Sequence, residues 1–374
     1  MKVANETDFV LHRLETMVEK GLRKLERRSG PQPLRELHLE LTHRCNLRCS
    51  MCHHWEIPQR DPASVKREMG LEGIKKLIEG SELLKDVEVV VVTGGEPWLR
   101  PDVDDILEYL SRALPKARLG VLTNFANPKL LSRHLTTARE RGVKNLWLGS
   151  SLDGLEKTHD EIRGMPGAFR GLMESAEMVR RDFPGLDFSF NFTITPRNHD
   201  ELWATYQHVK AMGLWFGAQM VVDHQGFVAP EKSEWTPKTL ARVAEQIDGV
   251  LLDLCREGGA ARLLLEGREK DSLWLWSRVL YWRYLKQYAR RPERFFKDCL
   301  AGRRYAMFGP EGELFFCPVN KHRTVGDATA TPFDELWKGK KAESERRFVE
   351  SCRCDCWLNC IANPVLDRVL EAGR

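Results

Sequence analysis

The sequence predicts an α/β protein built on a partial (βα)6 barrel, and three observations support this fold. Six segments have the alternating or continuously β-branched pattern of strands: 36–41, 87–92, 117–122, 145–152, 187–194 and 214–222. Helical periodicity fills the intervals between them, at 71–84, 102–114, 128–141, 167–182 and 198–212. Strands that alternate with helices form a parallel sheet with right-handed crossovers. Six units are too few to close an eight-fold barrel, so we expect an open side and a functional face at the carboxyl ends of the strands.

The segments on either side of the predicted barrel differ from it in pattern. Residues 9–28 predict a basic amphipathic helix that covers the main domain, with contact to a partner or a membrane surface as the alternative. The aromatic stretch 272–285 predicts a helix that packs a core, although its side chains could instead line a substrate pocket. Hairpin strands are predicted at 303–308 and 313–317, and a short helix at 333–337. We therefore predict four parts: an N-terminal helix (1–34), the barrel (35–225), a helical connector (226–295) and a small cysteine-rich domain (296–374).

The composition is that of a globular protein. Hydrophobic residues make up 42% of the 374 residues and charged residues 30%. The formal net charge of +4 is too small to predict binding to nucleic acid or to a membrane surface. No apolar run has the length of a signal peptide or of a membrane-spanning helix. We therefore expect a cytoplasmic protein with no transmembrane segment and no nucleic-acid partner.

Nine of the ten cysteines fall in two groups, and only Cys255 stands apart, in an apolar helical stretch where we expect it to be a core residue. Because the cytoplasm keeps thiols reduced, the two groups favour metal or iron–sulfur sites over disulfides. Their members are Cys45, Cys49 and Cys52, and then Cys299, Cys317, Cys352, Cys354, Cys356 and Cys360.

The first group has the spacing C-x3-C-x2-C in a loop that directly follows the first predicted strand. A [4Fe–4S] cluster normally takes four cysteine ligands, so three thiolates leave one iron with an exchangeable site for a substrate or cofactor. The alternative is a structural zinc with three cysteine ligands and a histidine, for which the sequence offers His43, His53 and His54. The spacing alone does not decide between the two.

Three further motifs follow the next predicted strands. The second strand ends in "TGGEP" (93–97), where the glycines allow close approach of the backbone and Glu96 offers a carboxylate to a cation. The third ends in "LTNF" (122–125), and the fourth in "SSLDG" (150–154), followed by "THDEIRG" (158–164). Together with C-x3-C-x2-C, these motifs resemble those of the radical S-adenosylmethionine (SAM) family.

The resemblance implies which residues contact SAM. The glycines and Glu96 of the GGEP motif would bind the amino group of its methionine end, and Arg163 its carboxylate. Phe125 departs from the glycine that many members have after Asn124. Met51 stands at the position expected to lie against the adenine. The implied set is Met51, Gly94, Gly95, Glu96, Asn124, Ser151 and Arg163.

The resemblance also implies an oxidoreductase mechanism. A reduced cluster would cleave SAM to a 5′-deoxyadenosyl radical, which would abstract hydrogen from an unactivated C–H bond. Cluster potentials span roughly −700 to +450 mV, and this step needs the low end, so a flavodoxin or ferredoxin is the implied electron donor. The sequence names no catalytic acid or base.

The second cysteine group resembles the SPASM/Twitch extension of radical SAM enzymes, which carries auxiliary [4Fe–4S] clusters. The C-x12-G-x4-C portion from Cys299 to Cys317 matches, and so does the closing C-x3-C. The tail C-x-C-x-C-x3-C departs from the usual C-x2-C-x5-C-x3-C. Since six thiols cannot fully ligate two cubanes, we expect one auxiliary [4Fe–4S] cluster, with a zinc site as the alternative. Its predicted ligands are Cys299, Cys317, Cys360 and one of Cys352, Cys354 and Cys356, of which Cys356 is favoured.

The sequence leaves the substrate open between a peptide or protein and a small molecule. Pro318 stands where sulfatase-maturing relatives have an aspartate base, which argues against the same oxidation of serine or cysteine. Gln219 and Asp223, near the end of the sixth predicted strand, are candidate substrate contacts. A reading from another class is a non-catalytic scaffold or electron carrier that holds zinc or an iron–sulfur cluster. It predicts no SAM binding and gives the GGEP and SLDG motifs no purpose.

Overall fold

A nine-stranded sheet organises the protein. The computed structural model describes residues 2–26, 33–222, 235–256, 273–292, 299–352 and 356–373, together with Glu266 and Phe295. The strands are β1 Glu36–Thr42, β2 Val89–Gly94, β3 Arg118–Leu122, β4 Leu146–Ser151, β5 Asp187–Ile194, β6 Trp215–Met220, β7 Tyr305–Phe308, β8 Glu313–Phe315 and β9 Thr324–Asp327.

The strand order is β6-β5-β4-β3-β2-β1-β7-β8-β9. Strands β1 to β6 pair in parallel with their neighbours in sequence, which confirms the predicted core of six βα units. On its other side β1 pairs in parallel with β7, and β8 and β9 continue the sheet in antiparallel order. The predicted hairpin is therefore present, and it extends the barrel sheet, which the sequence did not indicate.

Helices connect the strands. The predicted segment 71–84 is divided at Gly80 into a helix and a 3-10 turn, Leu83–Asp86. A helix at Glu156–Arg163 was not predicted. The helices are α1 Lys2–Glu26, α2 Ile57–Arg60, α3 Ser64–Arg67, α4 Leu71–Glu79, α5 Val103–Ala113, α6 Pro128–Glu140, α7 Glu156–Arg163, α8 Ala168–Asp182, α9 Leu202–Ala211, α10 Pro237–Arg256, α11 Leu273–Arg290, α12 Phe333–Lys338, α13 Lys340–Ser351 and α14 Asn359–Gly373.

The register of the strands separates an outer face from an inner one, because side chains alternate along each strand. The outer face packs in the main hydrophobic core, as shown by the aligned and buried row Leu39, Val92, Val121, Leu148 and Phe188. We call the inner face the lumen. One level of the lumen consists of Glu40, Thr93, Leu122, Gly149, Ser189 and Trp215.

The predicted aromatic helix is α11, and it packs a core. Trp276 and Trp282 are buried completely or almost completely. The Tyr281 hydroxyl donates to the Ala218 carbonyl in β6 at 2.8 Å, and the Trp357 indole donates to the Tyr281 carbonyl at 3.3 Å. The aromatic residues therefore join β6 to the C-terminal cysteine segment.

The N-terminal helix α1 packs chiefly on the C-terminal helix α14 and also contacts α10 and α11. Glycines bring α1 and α14 together closely. A Cβ atom at Gly21 would overlap the Val369 carbonyl oxygen, and one at Gly373 would overlap the Met17 carbonyl oxygen. The amphipathic helix predicted at 9–28 thus begins earlier, at Lys2, and uses its apolar face within the protein.

None of the helices in the described part of the chain has the length and apolarity that crossing a bilayer requires.

We predict that Gly21→Ala destabilises the protein by about 1–3 kcal/mol, because the added methyl group must force the two helices apart. Replacing glycine by alanine otherwise stabilises a helix by about 1 kcal/mol, so a loss of stability in Gly21→Ala would indicate the steric overlap. Gly70→Ala is the control, since a Cβ there meets no atom within 4 Å. Urea unfolding of both variants measures the effect, and a Gly21→Ala protein as stable as the wild type would contradict the tight crossing.

Candidate active site

The loop after β1 carries Cys45, Cys49 and Cys52 at the carboxyl end of the barrel strands. The three thiols pack in a small apolar cluster that is separate from the main core. The other members of this cluster include Leu47, Met51, Ile162 of α7, Ala126 and Val221, which follows β6. Met51, predicted to face adenine, therefore lies in an apolar setting to which three other loops contribute.

Burial makes these thiols poor acids. It raises the pKa of Cys45 to about 12 and that of Cys52 to about 11, and it also raises the pKa of Cys49. Thiols in such a setting stay protonated at neutral pH unless a metal binds them. A shielded set of three soft sulfur donors suits an iron–sulfur cluster.

The histidines of the zinc alternative have other polar neighbours. His53 Nδ1 lies 2.6 Å from Glu56 Oε1, and His54 Nε2 lies 3.4 Å from Lys321 Nζ. His43 Nε2 is 3.9 Å from Glu311 Oε1. Each of these contacts engages one ring nitrogen of its imidazole.

The GGEP motif is hydrogen bonded to the cysteine loop. Gly95 N–H donates to the Thr42 carbonyl at 2.8 Å, and Glu96 N–H donates to the Arg44 carbonyl at 2.7 Å. Gly94 has φ 127°, a conformation that side chains strain. A Cβ at either glycine would overlap a carbonyl oxygen of residues 42–44. The glycines are thus needed for the approach of one loop to the other.

The Glu96 side chain ties this motif to the end of β3. Its carboxylate accepts hydrogen bonds from the Thr123 hydroxyl at 2.7 Å, from Asn124 N–H at 2.8 Å and from Trp98 N–H at 3.3 Å. Burial raises the pKa of Glu96 to about 7, although these three bonds lower it. The sequence did not single out Thr123 as a partner of Glu96, because its position before Asn124 is the one indication of that role.

Residues 123–125 include a backbone conformation that favours glycine, although Phe125 occupies the position. Phe125 has φ 57°, in the left-handed region, and its ring is buried against Phe188 and Phe190. Asn124 donates from Nδ2 to Asn46 Oδ1 at 2.8 Å, which connects β3 to the cysteine loop. Burial of the ring offsets the strain of the positive φ.

Arg163 forms a buried ion pair with Asp153 of the SLDG motif, with Nη2 and Oδ2 2.5 Å apart. Its Nη1 lies 3.8 Å from Cys49 Sγ. Asp153 Oδ1 accepts Thr193 N–H at 2.7 Å, which anchors the pair to β5. Burial raises the pKa of Asp153, and Arg163 opposes that rise. The predicted SAM-carboxylate ligand is therefore oriented by a partner, Asp153, whose role the sequence motif did not reveal.

The remaining lumen candidates lie near the C-terminal segment. Ser151 pairs with Asn191 in the sheet and shares the lumen face with it. Gln219 Oε1 accepts Asn359 N–H at 3.4 Å, and the Asn359 side chain is hydrogen bonded to Asn191 Oδ1. Asp223 lies outside the described residues.

The structure describes the side chains of four cysteines of the second group: Cys299, Cys317, Cys352 and Cys356. Cys317 begins a 3-10 turn, Pro318–Asn320, and Asn320 Nδ2 lies 3.5 Å from its sulfur. Cys356 is buried, and Cys299 and Cys352 are half-buried. Cys354 and the side chain of Cys360 lie outside the described residues.

Two known family models match parts of this chain. Residues 39–209 match the Radical SAM superfamily, and residues 299–360 match the iron–sulfur cluster-binding SPASM domain. The chain belongs to the radical SAM superfamily and carries a SPASM domain. It is an enzyme, and its two domains are those of proteins that use SAM and [4Fe–4S] clusters as cofactors. The reading as a non-catalytic scaffold is therefore wrong.

Three curated relatives show the range of this family. The AdoMet-dependent heme synthase of Methanosarcina barkeri is 26% identical over 340 residues, which cover 85% of this chain and 86% of that one. The pre-heme d1 synthase of Dinoroseobacter shibae is 24% identical over 86% of this chain and 77% of its own. The subtilosin biosynthesis protein AlbA of Bacillus subtilis is 27% identical over 49% of this chain and 38% of its own.

Solved structures confirm the predicted fold. Native anSMEcpe with bound AdoMet and a Cp18Cys peptide superposes with a TM-score of 0.59 at 15% identity, covering 86% of this chain and 84% of that one. Streptococcus suis SuiB bound to S-adenosylmethionine gives a TM-score of 0.57 at 16% identity, covering 88% and 72%.

We predict that Arg163→Met destabilises the protein by about 3–5 kcal/mol at neutral pH, because Asp153 stays buried without its cation. In the variant the folded-state pKa of Asp153 lies further above its unfolded value of about 3.9. The stability deficit therefore grows as the pH rises from 5 to 8, since the unfolded chain ionises more readily. Asp153→Asn in the Arg163→Met background recovers most of the loss. Urea unfolding under anaerobic conditions measures this, and a deficit independent of pH would contradict the ion pair.

Proposed function

We propose that Cys45, Cys49 and Cys52 hold a [4Fe–4S] cluster and that the enzyme cleaves SAM there to abstract hydrogen from a substrate in the lumen. The observation that carries this proposal is the convergence of three motifs on one cysteine loop. The GGEP backbone donates to residues 42 and 44, the Asn124 amide binds Asn46, and Arg163 lies beside Cys49.

A reduced cluster held by these three cysteines would supply the electron for the reductive cleavage of bound SAM. The protein's part is to orient SAM and exclude water. We assign the methionine amino end to Gly94, Gly95 and Glu96, beside Asn124. Ser151 and Arg163 take the polar and carboxylate groups, and the apolar cluster around Met51 takes the adenine. A flavodoxin or ferredoxin supplies the electron.

For the SPASM domain we propose one auxiliary [4Fe–4S] cluster. Its ligands are Cys299, Cys317, Cys360 and one of Cys352, Cys354 and Cys356. Cys356 is favoured because it is buried next to Trp357, whose indole fixes the segment to α11. The predicted domain limits 1–34, 35–225, 226–295 and 296–374 remain part of this proposal.

Cys49→Ala tests the first cluster. We expect iron in anaerobically reconstituted protein to fall from about eight to about four atoms per chain. Release of 5′-deoxyadenosine with SAM and dithionite should stop. Cys255→Ala, a buried cysteine of neither group, should retain both. Unchanged iron content and product release in Cys49→Ala would contradict the assignment.

For the substrate we propose a tetrapyrrole. The supporting relatives, named as heme and pre-heme d1 synthases, align with this chain over most of their length. The lumen adds physical support, because Trp147 faces it from β4 and Trp215 faces it from β6, where the Arg278 guanidinium lies over the Trp215 ring. A Cβ at Gly120 would overlap the Trp147 ring, so the glycine lets this indole lie against β3. Aromatic walls of this kind suit a flat macrocycle.

A peptide is the second candidate. It is favoured by the partial match to AlbA, which is named as a bacteriocin biosynthesis protein. The SuiB structure with precursor peptide SuiA shows that a protein of this fold binds a peptide.

Binding of iron coproporphyrin III separates the two candidates. We expect a saturable Soret shift with the wild-type holoenzyme and faster release of 5′-deoxyadenosine. Trp147→Leu should weaken binding by about tenfold, because stacking on one indole contributes about 1–1.5 kcal/mol. The matched control is Trp203→Leu, on α9 against Tyr206. A holoenzyme that releases 5′-deoxyadenosine but gives no Soret shift would contradict the tetrapyrrole and leave the peptide.

A further inference from the structure

A buried ion pair connects the lumen to the segment that follows Cys317. Lys321 Nζ donates to Glu40 Oε1, and Glu40 faces the lumen from β1. The same ammonium lies 3.4 Å from His54 Nε2 and 5.6 Å from the centroid of the Phe315 ring. Lys321 comes from the C-terminal part of the chain and Glu40 from the barrel, so the pair lies where the two meet.

The charge of this pair is unusual for its surroundings. On strands β1 to β6, which the structure describes in full, the lumen-facing side chains at and beyond the level of Glu40 are otherwise uncharged. They are Thr93, Leu122, Ser151, Ser189, Asn191, Thr193, Trp215 and Gln219. Burial alone would raise the pKa of Glu40, but the charge and hydrogen bond of Lys321, together with His54 and His43, outweigh it, and the pKa lies below its ordinary value. The pair is therefore ionic at neutral pH.

The Lys321 side chain is partly exposed. The Lys321 side chain is 19% exposed, whereas that of Glu40 is 9% exposed. On the same level of the lumen Leu122 is 38% exposed, which is unusual for a leucine in a barrel. A partly exposed cation and an exposed apolar side chain on the level of its partner Glu40 together suit an amphipathic anionic ligand.

A second polar group near the pair supports a ligand. His43 Nδ1 is buried and has no hydrogen-bond partner among the described residues. The His43 ring lies 6.2 Å from the ring of His54, between centroids. Since buried polar atoms are almost always hydrogen bonded, this nitrogen is suited to a partner beyond the part of the chain that the structure describes, such as a ligand.

We propose that Lys321 binds a carboxylate of the substrate and that Glu40 takes its place when no substrate is bound. The proposal rests on the function above, since a tetrapyrrole carries carboxylates on a flat apolar ring. A substrate anchored at Lys321 would lie between the loop of Cys52 and the loop of Cys317. Lys321 and Glu40 are thus positioning residues for the substrate.

The two partners should have opposite effects on affinity. Lys321→Met removes the cation, so the dissociation constant of iron coproporphyrin III should rise about tenfold or more, as for loss of a charge-assisted bond. Glu40→Gln removes the competing carboxylate, so the same constant should fall. The tetramethyl ester of this porphyrin should bind both variants as it binds the wild type. An ion pair that only braces the fold would instead weaken both ligands in both variants.

Soret titrations of the holoenzymes give these constants. Lys338→Met, in the same domain and 67% exposed, is the control and should bind like the wild type. The double variant Glu40→Gln/Lys321→Met buries no unpaired charge, so it can be titrated even if one of the single variants fails to fold. Release of 5′-deoxyadenosine by the wild type with SAM and dithionite tests the enzyme function separately. Two results would overturn the role of Lys321 while leaving the SAM chemistry intact, provided that 5′-deoxyadenosine is released. Either Lys321→Met binds iron coproporphyrin III as tightly as the wild type does, or the wild type does not bind this porphyrin.

Discussion

The site depends on one steric constraint, the absence of side chains at Gly94 and Gly95. Their backbone approaches the cysteine loop so closely that a methyl group at either position would overlap a carbonyl oxygen of residues 42–44. This approach permits the two hydrogen bonds from residues 95 and 96 that hold the loop. Because the loop is held by backbone rather than by flexible side chains, its thiols are preorganised for a cluster. Glu96 and Asn124 then extend the same bracing to β3.

Burial and charge act in opposite directions around the thiols. The apolar cluster disfavours any charge, and it raises the pKa values of the thiols accordingly. The Arg163 guanidinium is buried in the same place, yet the nearby Asp153 carboxylate stabilises it. Such an arrangement costs desolvation energy for two groups and contributes little to stability by itself. It is understandable as the setting for a ligand that brings both charge and apolar surface.

The sequence revealed the parts of this protein that depend on local pattern. Strand β5 has the predicted limits because Phe188, Phe190 and Phe192 alternate with polar residues. The pairing of β7 with β1 was not predictable, since β7 has only four residues and its partner lies far away in sequence. Distance along the chain also hid the contact of Lys321 with Glu40. The glycine-like backbone of Phe125 was hidden for another reason, because the energy that stabilises it comes from tertiary packing.

Both the barrel and the C-terminal segment contribute residues to the lumen. The barrel supplies the end at which SAM is proposed to bind, through motifs within residues 45–163. The C-terminal segment reaches the lumen with Lys321 and Asn359, and α11 covers β6 with Tyr281. Changes in the second part can therefore alter what the lumen accepts without disturbing the hydrogen bonds that hold the cysteine loop. Such a separation is consistent with one fold serving relatives that are named for heme synthesis and for bacteriocin biosynthesis.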